Sequence, residues 1–335
     1  MILMRLILNL PVSFSDIIHM LAFRKFLAAI VAIFSFSISS GQEIPLNPIS
    51  YKLFTPFLFN PAIAGSKDFF STDIIAGFRG KNHAQIISGN TRLIKKVPGS
   101  VASGRGFDFT GIGVGGAIFN EVNDSSQTVG FVATGSYHYA LDSRALSFLS
   151  AGIALRGFYH HYDGNTDHGI PLEDHYFPNI DAGLYYYNPY FYAGLSGMNL
   201  LGRPSNRDTL STYLIPVTRQ YFFYTGFKLV LSRSLDIVIE PSVIIITDDS
   251  LSMDPKRSIK PALRLYAGDF CLGTYFNDFE RVSFLFQFRY PRFYVGTFFE
   301  LPKNTPFYKK PLTAELAFGL NLSKTKAGYS VRSHW

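Results

Sequence analysis

The segment 281–290 reads RVSFLFQFRY, and its large apolar residues alternate with polar ones. One face carries Val282, Phe284, Phe286, Phe288 and Tyr290, and the other carries Arg281, Ser283, Gln287 and Arg289. A period of two residues is typical of a β-strand, whereas a helix repeats its apolar residues at every third or fourth position. The segment therefore predicts a strand with one polar face and one face rich in aromatic residues.

The same alternation runs through most of the chain after residue 69. It is clear in 128–139, 235–243 and 313–322, where apolar residues again share one face. Segments of this kind predict fourteen strands, near 70–78, 85–94, 110–119, 127–140, 146–161, 178–187, 190–199, 220–231, 234–246, 260–267, 269–276, 282–290, 292–300 and 312–322. The predicted fold class is therefore all-β.

The links between the predicted strands differ in length in a regular way. Four are tight: 188–189, 232–233, 268–269 and 290–291. Four others are long and polar: 162–177, 200–219, 247–259 and 301–311. Outer-membrane barrels alternate short turns at one end with longer loops at the other, which a soluble sandwich has no reason to do. The sequence thus predicts an antiparallel transmembrane β-barrel of outer-membrane type with about 14 strands. One link departs from the alternation: 95–109 is long, although it falls at the end where short turns are expected.

Aromatic residues near the predicted strand ends suit the interfacial girdles of such a barrel. They are Tyr137, Tyr139, Tyr185 to Tyr187, Phe222 to Tyr224, Phe298 and Phe299. The alternative is that these rings form the core of a soluble sandwich.

Composition narrows the classes of protein further. Aromatic residues make up 16% of the 335 residues, as much as all charged residues together, whereas soluble domains are about 25% charged. Disorder is excluded because so much apolar surface would not stay solvated. The single cysteine, Cys271, allows no intramolecular disulfide and no thiolate-rich metal site. The net charge of +7 is scattered, without the basic stripe that nucleic-acid binding needs.

The N-terminus has the pattern of an export signal. A basic pair, Arg24 and Lys25, precedes an apolar run from Phe26 to about Phe36, and small residues follow before Gln42. We expect residues 1–41 to be a signal peptide with the true start at Met20, the alternative being a membrane anchor. The remaining chain divides into a leader (42–69), a barrel (70–322) and a tail (323–335).

The leader contains a distinctive motif, FNPAIAGS, at residues 59–66. It resembles the N-terminal signature of the PorP/SprF family of type IX secretion system membrane proteins, with Ile63 in place of the usual tyrosine and Thr55 in place of an earlier asparagine. The matching residues are Asn60, Pro61, Ala62, Ala64, Gly65 and Ser66. Weaker matches at 177–196 and 219–222 occur in the same order, so the resemblance spans about 45–335. The motif predicts a defined turn before the first strand, with either a structural role or a contact surface for a partner.

The resemblance implies an outer-membrane barrel of Bacteroidetes-type bacteria. Members of the family take part in type IX secretion or gliding motility, or hold a secreted surface protein through its C-terminal domain. The implied partners are outer-membrane lipid, a secreted substrate or adhesin and other secretion components, with no nucleic acid and no cofactor. The alternative function is a diffusion channel or small-molecule transporter, lined by Arg156, Arg264, Arg281, Arg289, Glu240 and Glu315.

Two further patterns resemble binding motifs, one for a dinucleotide and one for calcium, but a structural interpretation explains each of them better. The glycines of 111–116 have the GxGxxG spacing, yet they lie inside an alternating strand rather than between a strand and a helix, so we interpret them as small inward residues. The loop 159–175 places Asp163, Asn165, Asp167 and Asp174 at calcium-loop spacings, but His168 replaces the turn glycine. We expect a solvated external loop. A barrel hydrolase is a distant third possibility, and the sequence assigns no catalytic, cofactor or metal residue.

Overall fold

The computed structural model describes residues 54–67, 69–79, 82–94, 109–123, 126–142, 146–162, 173–202, 219–248, 258–277, 281–290, 292–302 and 313–322. All described residues belong to one compact unit, Gly41–Trp335. The predicted signal peptide and C-terminal tail lie outside the described residues. Among the described residues, no helix is both long and apolar enough to cross a membrane.

The described residues form one antiparallel sheet that closes on itself. Its strands are β1 (Phe70–Arg79), β2 (Asn82–Ile94), β3 (Phe109–Asn123), β4 (Ser126–Asp142), β5 (Ser147–Tyr162), β6 (Glu173–Tyr187), β7 (Phe191–Met198), β8 (Gln220–Phe227), β9 (Leu229–Ser232), β10 (Ile237–Asp248), β11 (Ile259–Ala267), β12 (Phe270–Asn277), β13 (Arg281–Tyr290), β14 (Phe293–Pro302) and β15 (Thr313–Leu322). Consecutive strands pair with each other, except that β8 and β9 both pair with β10, and β1 pairs with β15 to close the ring. A closed sheet leaves no edge unpaired, which is the condition for a sheet to lie in lipid.

The fifteen segments occupy fourteen positions around the barrel, because β8 and β9 are one strand interrupted at Lys228. Both pair with β10, and the Lys228 amide donates instead to the Tyr190 carbonyl oxygen at 2.7 Å. The prediction of a 14-stranded antiparallel barrel of outer-membrane type is confirmed. The main difference is β6, which begins at Glu173 rather than near 178. Its first residues pair with the far end of β5, so pairing extends the strand through a polar stretch.

The two faces of the barrel follow the predicted alternation. On β4 the outward residues Phe131 and Tyr137 are exposed. Thr134, Ser136 and His138, at the alternate positions, are buried in the lumen. The outward apolar residues form a continuous surface around the ring, including Ile118, Ile153 and Leu272, each at least half exposed in the isolated chain. Lipid covers such a surface in a membrane barrel, so the exposure is not a defect.

The girdle prediction was wrong for half of the aromatic residues named. Tyr137 and Tyr139 do face outward, but these residues lie inside the barrel: Tyr185, Tyr187, Phe222, Tyr224 and Phe298. The reason is that the lumen contains a second layer of protein. Large inward side chains therefore find apolar partners there rather than water.

Apart from 95–108, the long connections all belong to one end of the barrel, which also has the short links between β1 and β2, β3 and β4, and β12 and β13. The stretches 163–172, 203–218, 249–257 and 303–312 each join a strand at an odd position in the ring to one at an even position, so the strand ends that they connect lie at the same end of the barrel. Tight turns such as 188–190, 233–236 and 268–269 lie at the other end. The link 95–108 is long on the short-turn side, as the sequence indicates.

Candidate functional site: the occupied barrel lumen

The leader does not lie beside the barrel but inside it. Residues 54–66, here called the lumen segment, fold into two short 3-10 turns, η1 (Pro56–Leu58) and η2 (Pro61–Ile63). A proline opens each turn, where its fixed φ is favourable and its missing N–H is not needed. The Asn60 side chain caps η2 by accepting from the Ala62 amide at 2.9 Å. The turn predicted for the motif is present, in the barrel interior.

Five carbonyl oxygens of the lumen segment accept hydrogen bonds from inward side chains of the barrel wall. The pairs are Arg156 Nη2 to Leu58 O (2.8 Å), Ser196 Oγ to Phe59 O (2.7 Å), Ser150 Oγ to Ala62 O (2.7 Å), Ser136 Oγ to Ala64 O (2.6 Å) and Arg92 Nε to Gly65 O (2.8 Å). Amides of the segment are satisfied within its own turns, for example Ile63 N to Asn60 O at 3.0 Å. Buried backbone groups are costly unless paired, and here the wall supplies the partners that the 3-10 turns lack.

Inward glycines make the space in which the lumen segment lies. A Cβ atom at Gly113, Gly152 or Gly183 would overlap with Ala64, with the Pro61–Ala62 peptide or with the Asn60 side chain, respectively. The predicted interpretation of the 111–116 glycines as small inward residues fits Gly113. What the sequence could not reveal is that the space they leave is filled by the motif.

Asn60 is the most fully engaged residue of the motif. It is completely buried, and its amide nitrogen donates to the Leu184 carbonyl oxygen at 3.0 Å and to the Tyr224 hydroxyl at 3.1 Å. Its side-chain oxygen caps η2 at the same time. One side chain thus fixes the turn and ties it to β6 and β8. Pro61, Ala62 and Ala64 are buried beside it.

Apolar side chains of the lumen segment join a core that reaches across the barrel. Phe54 stacks on Tyr294 of β14 with ring centroids 5.8 Å apart, and Phe59 packs edge-on against Tyr224 at 5.2 Å. The β7 and β14 strands lie six positions apart one way around the ring and eight the other, so they are nearly opposite. The segment, bonded to β7 through Ser196, therefore spans the lumen from wall to wall.

A network of hydrogen-bonded side chains binds the end of the motif. His138 Nε2 lies 2.7 Å from the Ala64 carbonyl oxygen, and His138 Nδ1 lies 3.0 Å from the Tyr187 hydroxyl. Arg92 donates to the same hydroxyl. These contacts are all satisfied by a neutral imidazole that carries its proton on Nε2 and accepts from Tyr187 on Nδ1.

Three of the six charged residues predicted to line a channel form ion pairs in the lumen. Arg156 forms an ion pair with the buried Asp181 at 2.8 Å. Arg264 pairs with Glu240, which is only 1% exposed and also accepts from the Tyr192 hydroxyl at 2.6 Å. Glu315 is likewise buried, and the Arg289 guanidinium lies 5.5 Å from the centroid of the Tyr266 ring. The Arg281 side chain lies outside the described residues.

A further buried carboxylate, that of Asp73, lies in the first strand of the barrel. Asp73 accepts from the Tyr294 hydroxyl at 2.6 Å, with the Ser71 and Ser88 hydroxyls each at 3.4 Å. Between the lumen segment and β1, burial lowers the pKa of the Lys67 ammonium, and the nearby Asp73 carboxylate opposes that shift. A short polar patch thus marks the point at which the chain leaves the lumen and enters the first strand.

The calcium-like spacing in loop 159–175 gains no support from the structure. The residues of loop 159–175 from Asp163 to Asp167 lie outside the described residues, while Asp174 contacts His161 Nδ1 at 2.6 Å. No cluster of metal-ligating side chains occurs among the described residues. Sequence reasoning missed the wall residues that hold the lumen segment, above all Ser136, Ser150 and Ser196. The only signal for them is that each is a small polar residue at an inward position of an alternating strand.

A closed antiparallel barrel with an apolar outer surface and a polar, occupied interior defines an outer-membrane β-barrel. The chain also matches the family model described as type IX secretion system membrane protein PorP/SprF over residues 47–330. It therefore belongs to that family, as the resemblance of its motif implies, and is an outer-membrane barrel of the type IX secretion system. Membership implies that its partners include components of that system.

Several solved barrels are similar to this chain at low identity. Omp33 of Acinetobacter baumannii aligns with a TM-score of 0.41 and 9% identity, covering 77% of this chain and 100% of that one. The NanC porin aligns with a TM-score of 0.36 and 8% identity (75% and 99% covered). The β domain of the Bordetella autotransporter Brka aligns with a TM-score of 0.33 and 10% identity (76% and 98% covered). A search of curated proteins finds no match.

Proposed function

We propose that this protein is a non-enzymatic barrel that anchors a secreted surface protein, or helps to export it, through that protein's C-terminal domain. Membership of the PorP/SprF family supports a place in type IX secretion or gliding. The occupied lumen is the observation that favours anchoring or export over a diffusion channel. A barrel filled by its own chain can bind a partner at its ends but not in its interior.

The end with the long connections is the surface that we assign to the partner. The stretches 163–172, 203–218, 249–257 and 303–312 all emerge there, and outer-membrane barrels direct their longer loops outward. Below them, the wall is covered by lipid and unavailable to a soluble protein. The loops would bind by shape and hydrogen bonding, as expected for a specific partner rather than for a nonspecific charged surface.

The channel alternative is disfavoured by the same interior. A diffusion channel needs a water-filled path, and porins of 16–18 strands have one. Here residues 54–66 cross the lumen, and the Arg156–Asp181 and Arg264–Glu240 pairs neutralise charges that would otherwise attract ions.

In the described part of the chain, a serine–histidine contact bears on the hydrolase alternative: Ser136 Oγ lies 3.1 Å from His138 Nε2. A nucleophile needs a base that is oriented by a third group and is accessible to a substrate. Both side chains instead bond the Ala64 carbonyl oxygen and are buried beneath the lumen segment, and the other ring nitrogen faces Tyr187 rather than a carboxylate. This pair therefore serves to bind the segment.

The test is affinity purification of the tagged full chain from mildly solubilised outer membranes, with co-purifying proteins identified by mass spectrometry. The expected result is a stoichiometric secreted protein that leaves the cell surface when the gene is deleted and returns on complementation. A matched variant shortens 203–218, on the long-loop side, and its control shortens 95–108, at the opposite end.

We expect the change in 203–218 to reduce partner recovery and the change in 95–108 to leave it unchanged. A barrel that purifies alone and conducts ions in a planar bilayer would overturn the anchor proposal and support the channel.

A further inference from the structure

We infer that the lumen segment is a covalently attached plug that seals the barrel, and that the inner wall from β2 to β8, with β14 opposite, is a seat built to bind it. In this inference the FNPAIAGS motif is the segment that binds, and the inner wall of the same barrel is its binding site. It does not depend on which partner the loops hold, so a failure to recover a partner would leave it standing, whereas the proposed function relies in turn on the occupied lumen.

The first argument is that the seat matches a peptide backbone rather than apolar side chains alone. Side chains on four different strands donate to five consecutive or nearly consecutive carbonyl groups between Leu58 and Gly65. A collapsed loop that happened to fall into the lumen would not meet a donor at each of these positions. The donors are also spread over β2, β4, β5 and β7, so the segment links strands that are not neighbours.

The second argument is the shape of the wall. Glycine inside a strand weakens the strand and often marks a bulge, a tight bend or a place where a ligand or another backbone approaches closely. Gly113, Gly152 and Gly183 lie on three strands, and a side chain on any of them would overlap with the lumen segment. Gly135 on β4 gives the contrast, since a Cβ there would meet no atom within 4 Å. These three inward glycines are therefore explained by the bound segment, whereas Gly135 is not constrained by it.

The third argument is the tether. The segment ends at Ser66 and β1 begins at Phe70, so only three residues separate the plug from the barrel wall. Such a short connection gives the segment a high effective concentration at its seat. The plug therefore returns to the seat quickly after any local opening, and a stable opening requires a change in the seat itself.

The experiment uses the full chain and two leucine substitutions. Gly152→Leu places a side chain where the Pro61–Ala62 peptide lies, and Gly135→Leu adds the same side chain at the outward position on the adjacent strand. Wild type and Gly135→Leu should stay at baseline conductance in planar bilayers, and Gly152→Leu should give discrete channel openings. The mobility shift of unheated against heated samples on gels verifies that each barrel is folded.

A folded Gly152→Leu barrel that never conducts would overturn the inference. If that variant does not fold, thiol labelling of a less perturbed chain decides instead. Ala64→Cys, made in a Cys271→Ser background, places a thiol at a fully buried position of the plug, and Ser234→Cys is the exposed control in a tight turn. We expect labelling of Ala64→Cys by a water-soluble maleimide to be at least about 100-fold slower than that of the control. Equal rates would show that the lumen is open.

Discussion

Replacing Asn60 with alanine should destabilise the folded barrel more than any other single truncation of a polar residue in the motif. The asparagine is completely buried and makes three side-chain hydrogen bonds of 3.1 Å or shorter. The substitution removes the cap of η2 and leaves the Ala62 amide and the Tyr224 hydroxyl without these partners in a site closed to water.

The magnitude follows from the lost contacts. Loss of an N-cap costs about 1 kcal/mol, and each donated hydrogen bond contributes about 1 kcal/mol net. The sum predicts a loss of about 3 kcal/mol in the free energy of unfolding. Asn60→Asp retains the capping oxygen but loses both donors and faces the Leu184 carbonyl with a carboxylate, so it should cost more than alanine.

The assay is equilibrium unfolding by urea of the barrel refolded in lipid vesicles, followed by far-ultraviolet circular dichroism and by gel mobility. Asn120→Ala is the matched control, because among the described residues its amide hydrogen-bonds only to the exposed amides of Gln85 and Gln127. We expect the control to lie within about 0.5 kcal/mol of wild type.

A loss below about 0.5 kcal/mol for Asn60→Ala, with the barrel folded, would refute the reasoning. It would mean that the lumen segment is not part of the cooperative unit that unfolds. Hydrogen exchange of residues 54–66 would then separate a loosely seated segment from one that simply does not contribute to global stability.

Three further predictions use the same unfolding assay. Glu240→Gln removes the counter-charge of Arg264, whose side chain is 20% exposed, and should cost about 3 kcal/mol, with much of that loss recovered when Arg264→Met is added; no recovery would contradict a paired interior. Ile153→Arg, on the outward face near the middle of β5, should cost about 2–4 kcal/mol against about 0–1 kcal/mol for His161→Arg at the rim of the same strand, and equal costs would argue against the membrane placement. Ser150→Ala removes one donor to the lumen segment and should cost about 1 kcal/mol, additive with Asn60→Ala unless the two contacts are coupled.

Much of the barrel is predictable because its signals are local. The alternation on β4, β13 and β15 depends only on the side-chain period of a strand, and the structure places each of those faces as the pattern indicates. Link lengths similarly give the two ends of the barrel, since parity fixes which connections share an end.

The interior aromatic residues show where local reasoning fails. A pattern can assign Tyr185 and Phe222 to the ends of strands, but it cannot tell an aromatic girdle from a packed lumen, because both place rings near strand ends. The direction of each ring depends on whether the lumen contains water or protein. That is decided by residues more than 100 positions away in the chain, as the contact between Asn60 and Tyr224 illustrates.

Most of the strands, the apolar outer face and the turn at Pro61–Ile63 follow from the sequence alone, because each depends on neighbouring residues and on backbone geometry. That this turn lies inside the barrel is visible only in the tertiary structure. Closing the ring creates an enclosed space whose glycines and hydroxyl donors come from strands far apart in the chain, and no local pattern reveals that they surround the same five carbonyl groups.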